Sequence, residues 1–423
     1  MSGPRRGSKR GPGRGPERRK DRQNDRQTTR PQRTLEHVGR PWTAGVGLDV
    51  FAVEDRTAQL IWSNLPAGPV TVTVASPGGD RSTRTVTHYG GPGAVELTRL
   101  RPGSRHTVEV RSAHDVRARR SLQTQPAVPG EELFRFATMN DLHLGREEHP
   151  IHGDGKRPLA EGGAGAPSPA DMAADATSEA LAWGAQAIVV KGDVCDQSYD
   201  HFWDQAADLF GDLAVPVWML PGNHDTGSLR RVEPEVAAAA RGLHMSRGVE
   251  AVDVAGLRIV MVESGLPGNG WGSMARHGDD VADLVADARA AGVGTFIATH
   301  HQAQRYRVPL YWPHGTPGPD AAEFARSVRA AGTDVLASSG HTHRCRRRVV
   351  AGLTWTEIAA TNHFPAVWAG YRVFEGGLMQ VVRRTATPRA LTWSDQTRQA
   401  FNGAWALWST GTPSDRNFTL RWG

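Results

Sequence analysis

FRFATMNDLH (residues 134–143) is an apolar, aromatic-rich run that stops on Asp-Leu-His. A short stretch of this kind, bounded by polar turn formers, reads as a strand with Asp141 and His143 at its carboxyl end. Outward from it the same unit recurs as AQAIVVKGDVCD (185–196), AVPVWMLPGNHD (214–225), GTFIATHH (294–301) and TDVLASSGHTH (333–343). Between these lie Ala-rich stretches with helical periodicity: PADMAADATSEALAWG (169–184), HFWDQAADLFGDL (201–213), DDVADLVADARAAG (279–292) and DAAEFARSVRAAG (320–332). Strands alternating with helices predict an α/β domain. In such a sheet the carboxyl ends of the strands line the ligand crevice, so the polar clusters are expected to converge.

Upstream the rhythm differs. From residue 41 to 124, AQLIWSNL, VTVTVAS, AVELTRL and HTVEVRS alternate with period two, separated by PAGP, SPGGD and RPGSR. Short strands at this spacing predict a small all-β sandwich. The segment LRPGSRHTVEV, with Trp62 on an early strand, resembles a fibronectin type III domain, with His106 where that family usually has tyrosine. Residues 125–132 read as a linker. Residues 133–390 are the expected catalytic domain and 391–423 a Trp-rich C-terminal extension. After residue 346 the pattern predicts strands without helices: RRVVAGLTWTEIAAT, AGYRVFE and GLMQVVRR extend the sheets, and the last thirty or so residues form a flap or strand pair. Aromatic packing is the expected role of Trp393, Trp405, Trp408 and Trp422.

The formal charge of +6 is a tail property. Residues 1–34 carry twelve Lys/Arg against three Asp/Glu, and the remainder of the 423-residue chain is slightly acidic. Residues 1–40 therefore read as a disordered basic arm, either merely solvated or attracted to nucleic acid or another polyanion. No apolar run reaches the roughly 18 residues of a spanning helix and none follows the basic start, so a cytoplasmic protein without a membrane segment is expected. Cys195 and Cys345 are too few for a disulfide framework and read as small packing residues.

The clusters at the strand ends offer imidazole, carboxylate and amide donors: Asp141 and His143, Asp193, Asn223 to Asp225, His300 and His301, His341 and His343. Such a set suits manganese, iron or zinc better than an all-oxygen calcium site. There are too many donors for one tetrahedral ion, but enough for two sharing a carboxylate. Two ions about 3.5–4 Å apart clamp the attacking and leaving oxygens of an in-line displacement. The glycines before Asp193, Asn223 and His341 let backbone approach the ions closely.

In order, DLH, GDVCD, GNHD, HH and GHTH resemble the signature of the calcineurin-like metallophosphoesterase superfamily across residues 134 to about 346. The resemblance implies a four-layer α-β-β-α sandwich and a dinuclear centre. One metal would take Asp141, His143, Asp193 and His343; the other would take Asp193, Asn223, His300 and His341, with Asp193 bridging. His300 is chosen over His301 because the family uses the first histidine of such a pair. A hydroxide held between the ions would attack phosphorus. Asn223 would ligate and donate, His224 would stabilise the phosphoryl group or protonate the leaving oxygen, and Asp225 would orient His224.

Purple acid phosphatases resemble this chain in carrying a fibronectin-like domain first, but they have a tyrosine where Asp196 stands. Phosphoprotein phosphatases follow that aspartate with Arg-Gly and use GNHE, whereas Gln197 and Ser198 follow it here. The forms GD-x-x-D, GNHD and GHTH look most like the class III cyclic-nucleotide phosphodiesterase and glycerophosphodiesterase branch. The expectation is a small-molecule phosphodiesterase or phosphomonoesterase; a nuclease and a non-enzymatic binding scaffold are the alternatives. Residues 145–170, containing His149 and His152, read as a lid or specificity loop over the site.

Overall fold

The computed structural model describes residues 47–146, 167–226, 232–266, 270–308, 313–398 and 400–423. The basic arm, and most of the expected lid with His149 and His152, lie outside the described residues.

The first strands are β1 (Asp49–Val53), β2 (Ala58–Leu65), β3 (Gly68–Ala75), β4 (Arg81–His88), β5 (Gly91–Leu97), β6 (Arg105–Ser112) and β7 (Arg117–Gln123). They form two antiparallel sheets, ordered β1-β2-β5 and β4-β3-β6-β7. Their inward residues pack Trp62, Leu60, Val70, Val72, Val108 and Val110 into one core. The period-two reading of the sequence reflects one-sided burial in β3, β5 and β6, whereas β1 and β2 are buried on both faces. His106 is fully buried; its Nδ1 lies 3.0 Å from Ser76 Oγ and its Nε2 3.3 Å from the Arg101 carbonyl. It thus ties back to backbone a few residues upstream, as a corner tyrosine does in related sandwiches.

The larger domain contains β8 (Glu132–Met139), α1 (Pro169–Trp183), β9 (Ile188–Lys191), α2 (Phe202–Phe210), β10 (Val217–Leu220), α3 (Asn223–Thr226), α4 (Pro234–Ala239), β11 (His244–Met245), β12 (Val249–Val254), β13 (Leu257–Val262), α5 (Gly278–Ala290), β14 (Gly294–Thr299), α6 (Gly318–Ala331), β15 (Val335–Ser339), β16 (Arg346–Val350), β17 (Leu353–Glu357), β18 (Val367–Phe374) and β19 (Gly377–Arg384). The chain closes with α7 (Pro388–Thr397), α8 (Ala404–Thr410), α9 (Pro413–Arg416) and β20 (Phe418–Arg421). One sheet runs β11-β10-β9-β8-β18-β19-β20 and the other β12-β13-β14-β15-β17-β16.

Alternation along the strands builds the layers. Phe136, Val189, Phe296, Ala298 and Leu336 point between the sheets into the central core. Their neighbours Ala137, Ile188 and Val190 face α1, α2 and α4 on one outside. Ile297 and Ala337 face α5 and α6 on the other. Both faces of these strands are buried, hence their continuous apolar runs. The result is the four-layer α-β-β-α sandwich, preceded by the all-β region.

The C-terminal segment departs from the expectation. Helices do not vanish after residue 346, because α7, α8 and α9 follow. Thr387 caps α7 by accepting from Ala390 N, with Pro388 in its first turn, and Thr412 with Asp415 forms a capping box on α9. These Thr-Pro starts are helix signals that strand periodicity upstream obscured. The last strand, β20, does pair with β19.

The all-β region docks firmly on this domain. Phe51 and Ile61 belong to the central core. Glu54 and Asp55 meet Arg372 at 3.3 and 2.6 Å, and Glu54 also meets Arg383 at 3.0 Å. Gln59 exchanges two hydrogen bonds with the backbone of Arg384.

Candidate metal centre

The loops after β8 and β9 run side by side. His143 N donates to Asp193 O at 3.0 Å and Leu144 N to Val194 O at 2.9 Å, so the first two ligand loops are held as a parallel pair. Gly192 adopts φ +82°, and a Cβ there would lie 2.5 Å from His300 Nδ1. At Gly222 a Cβ would lie 2.2 Å from Asp193 Oδ1. Both positions need glycine because another ligand loop occupies the space.

The backbone at the ligand positions is strained. Asp141, His143, Asp193, His341 and His343 all have φ between +51° and +66°. A non-glycine residue there costs on the order of 1–3 kcal/mol and persists only when its surroundings impose it. Here the amide of His341 donates to both oxygens of the Asp141 carboxylate (3.2 and 3.1 Å), and His224 N donates to Asp193 Oδ1 at 2.8 Å. Sequence patterning gave no sign of this strain.

Three groups of ligand atoms converge: Asp141 with His143 and His343; Asp193 with His300 and His341; and His143 with Asp196 and His224. Asp193 Oδ2 lies 3.3 Å from His300 Nε2 and 3.8 Å from His143 Nε2, between the first two groups. Asn223 Oδ1 approaches His300 Nε2 at 3.0 Å. His301 belongs to none of these groups, and its Nδ1 lies 2.9 Å from Ser264 Oγ. The seven ligand positions expected from sequence therefore face one another.

Burial alone would raise the Asp141 and Asp193 carboxyls. The facing imidazoles, His343 for Asp141 and His300 for Asp193, outweigh it and hold both well below the usual carboxylate range. Both acids are thus anionic donors at neutral pH. His143 Nε2 is buried without a hydrogen-bond partner. An orphaned buried imidazole nitrogen 3.8 Å from the Asp193 carboxylate is costly unless a cation completes it, so these residues fit divalent metal ions.

Two partnerships were not read from sequence. Asp196 Oδ1, not Asp225, accepts from His224 Nδ1 at 2.7 Å, and Arg146 Nη1 reaches the same oxygen at 3.2 Å. Asp225 is fully buried and accepts from the amides of Val194 (3.1 Å), Cys195 (2.9 Å) and Gly222 (2.8 Å). Its carboxylate braces two ligand loops, correcting the expectation that it orients His224. Burial favours the neutral imidazole of His224, but Asp193 and Asp196 raise its pKa above the ordinary value. Asp196 lay in full view within GDVCD; the spacing did not say which aspartate faces the histidine.

The model of the calcineurin-like phosphoesterases matches residues 134–345, half of the chain. The chain belongs to that family. It is accordingly a metal-dependent phosphoester hydrolase. No curated protein matches the sequence. Among solved structures, the purple acid phosphatase PPD1 from yellow lupin (Lupinus luteus) seeds is 12% identical, covering 80% of this chain and 72% of its own, with a TM-score of 0.42. PhoD is 10% identical over 82% of this chain and 87% of its own, with a TM-score of 0.38. The fn3 domain of human collagen alpha-1(XX) chain is 20% identical over 20% of this chain and 83% of its own, with a TM-score of 0.18. Among the described residues no helix is long and apolar enough to cross a membrane.

Proposed function

We propose that this chain is a dinuclear phosphodiesterase acting on a small-molecule phosphate diester. The observation that carries the reading is the position of Asp193, whose Oδ2 stands between the Asp141–His143–His343 group and the His300–His341 pair. Asp141, His143, Asp193 and His343 would hold one ion; Asp193, Asn223, His300 and His341 the other. When bound, such ions supply a water nucleophile at neutral pH and neutralise charge on the phosphoryl oxygens.

The protein's own groups do the rest. His224 is part-exposed, with its Nδ1 on Asp196. That bond fixes the Nδ1 proton on Asp196, and a protonated imidazole presenting Nε2 to the substrate would stabilise the phosphoryl group or protonate the leaving oxygen. The raised pKa keeps the proton available near neutrality. Asp225 holds the loops carrying Asp193 and His224 in register. The diester preference rests on the motif forms GD-x-x-D, GNHD and GHTH, while Gln197 and Ser198 after Asp196, in place of Arg-Gly, speak against a protein phosphatase.

The test is hydrolysis of bis(p-nitrophenyl) phosphate and p-nitrophenyl phosphate with Mn²⁺, Fe²⁺ or Zn²⁺, beside His224→Ala. Faster turnover of the diester is expected, with His224→Ala retaining its metals but losing most of kcat. A clear monoester preference would make the chain a phosphomonoesterase. Full activity in His224→Ala would remove that residue from the reaction.

A further inference from the structure

The C-terminal helices pack on the far side of one ligand, His343. Its Nε2 faces Asp141 Oδ1 at 3.3 Å, and its Nδ1 lies 2.6 Å from Nε2 of His363. His363 is fully buried, and its own Nδ1 lies 3.1 Å from the Phe364 carbonyl. None of the sequence motifs includes His363.

The geometry points to His363 as a positioning residue that sets the tautomer of His343; this rests on the metal-centre reading above. A carbonyl can only accept, so His363 Nδ1 carries a proton. In a neutral His363, Nε2 is then an acceptor, and His343 Nδ1 must donate to it. The Nε2 lone pair of His343 is thereby left facing Asp141, as a metal ligand requires. With the opposite assignment His343 would present an N–H to that carboxylate and close the site to a cation. Metal-binding histidines are commonly fixed in this way by the partner of their other nitrogen.

The surroundings of His363 are built to hold it. Trp405 Nε1 donates to the same Phe364 carbonyl at 3.0 Å, and its ring packs on His363 with centroids 5.5 Å apart. Phe364 N donates to Thr397 Oγ1 at 2.9 Å, and Trp393 Nε1 donates to Asn362 O at 2.9 Å. On the other side of the ligand, Trp408 Nε1 donates to Thr342 O at 3.3 Å and Cys345 N to Ser409 O at 2.8 Å. Helix α8 therefore clamps the loop before His343, the loop after it, and the partner of its ring. Of the C-terminal tryptophans read from sequence as packing residues, Trp393, Trp405 and Trp408 sit behind the metal centre, whereas Trp422 packs on Gly294 at the far end of β14.

The experiment uses the full-length protein. Mn²⁺ affinity and stoichiometry are measured for wild type, His363→Ala and His363→Gln, beside ¹⁵N-edited spectra of the histidine rings in metal-free wild type. Loss of the acceptor is expected to weaken one of the two ions by about 10–100-fold while the other stays bound. His363→Gln, whose amide oxygen can accept from His343 Nδ1, is expected to recover most of that affinity. The spectra should show His343 protonated at Nδ1. Unchanged binding of both ions in His363→Ala, or His343 protonated at Nε2, overturns the assignment; should the alanine variant not fold, the spectra decide alone. A wild type that binds no divalent ion would instead refute the metal-centre reading itself.

Discussion

Asp225→Asn is expected to cost stability rather than chemistry. The carboxylate uses both oxygens: Oδ2 accepts from Val194 N and Gly222 N, and Oδ1 from Cys195 N. An asparagine whose oxygen takes the Oδ2 position keeps two of these bonds and turns its NH₂ toward the Cys195 amide. One buried N–H then faces a donor, at about 1–3 kcal/mol. Above the value of about 7 to which burial and Asp193 raise the Asp225 carboxyl, the two surviving bonds also lose their charge assistance, about 1 kcal/mol each. The expected destabilisation is about 3–5 kcal/mol, a large fraction of a typical domain's stability. Guanidinium unfolding followed by circular dichroism, with metal removed from both proteins, reads this directly as a lowered midpoint at unchanged slope. A variant as stable as wild type to within about 0.5 kcal/mol but with kcat lost would refute the bracing role. It would restore Asp225 to the position suggested by its adjacency to His224.

Two further outcomes follow from charges held in unusual surroundings. Lys191 is fully buried with its Nζ on Ser338 Oγ (2.9 Å) and the Ser339 carbonyl (3.0 Å), and burial lowers its pKa to about 7 from 10.5. Between those values the unfolded chain holds a proton that the folded chain lacks, so stability rises with pH. The rise is at most about 1.4 kcal/mol per unit from this group. Lys191→Met should abolish that part of the slope between pH 7 and 9, and an unchanged slope would show that Lys191 stays charged in the fold. Asp196→Asn removes one of the two carboxylates that raise the pKa of His224. The alkaline limb of the pH–kcat profile should therefore move to lower pH, and an unmoved limb would separate His224 from that titration.

The fold was largely legible because its central strands are buried on both faces and its helices are short and Ala-rich, so each element carries a strong pattern. The polar stops after β8, β9, β10, β14 and β15 marked the site for the same reason: nothing in the packing of a strand calls for Asp-Leu-His or Gly-His-Thr-His. What sequence could not supply was pairing across loops. Asp225 adjoins His224 in sequence whereas Asp196 stands 28 residues before it, and only the turn geometry after β9 brings Asp196 to its ring. His363 stands twenty residues beyond His343 in a segment without periodicity, so its contact is tertiary and left no local trace. Helices α7 and α9 were legible in principle, through Thr387-Pro388 and Thr412-Pro413, but they were hidden by the strands preceding them, and α8, which follows Gly403 with no side-chain cap, carried no such signal.

The most direct test of the account is metal content. Purified protein loaded with Mn²⁺ or Zn²⁺ and freed of excess ion should hold two ions per chain by mass spectrometry of the elements, and Asp193→Ala should lose both, since Asp193 stands between the two ligand groups. A wild type that saturates at one ion, or an Asp193→Ala variant that keeps two, would contradict the dinuclear centre.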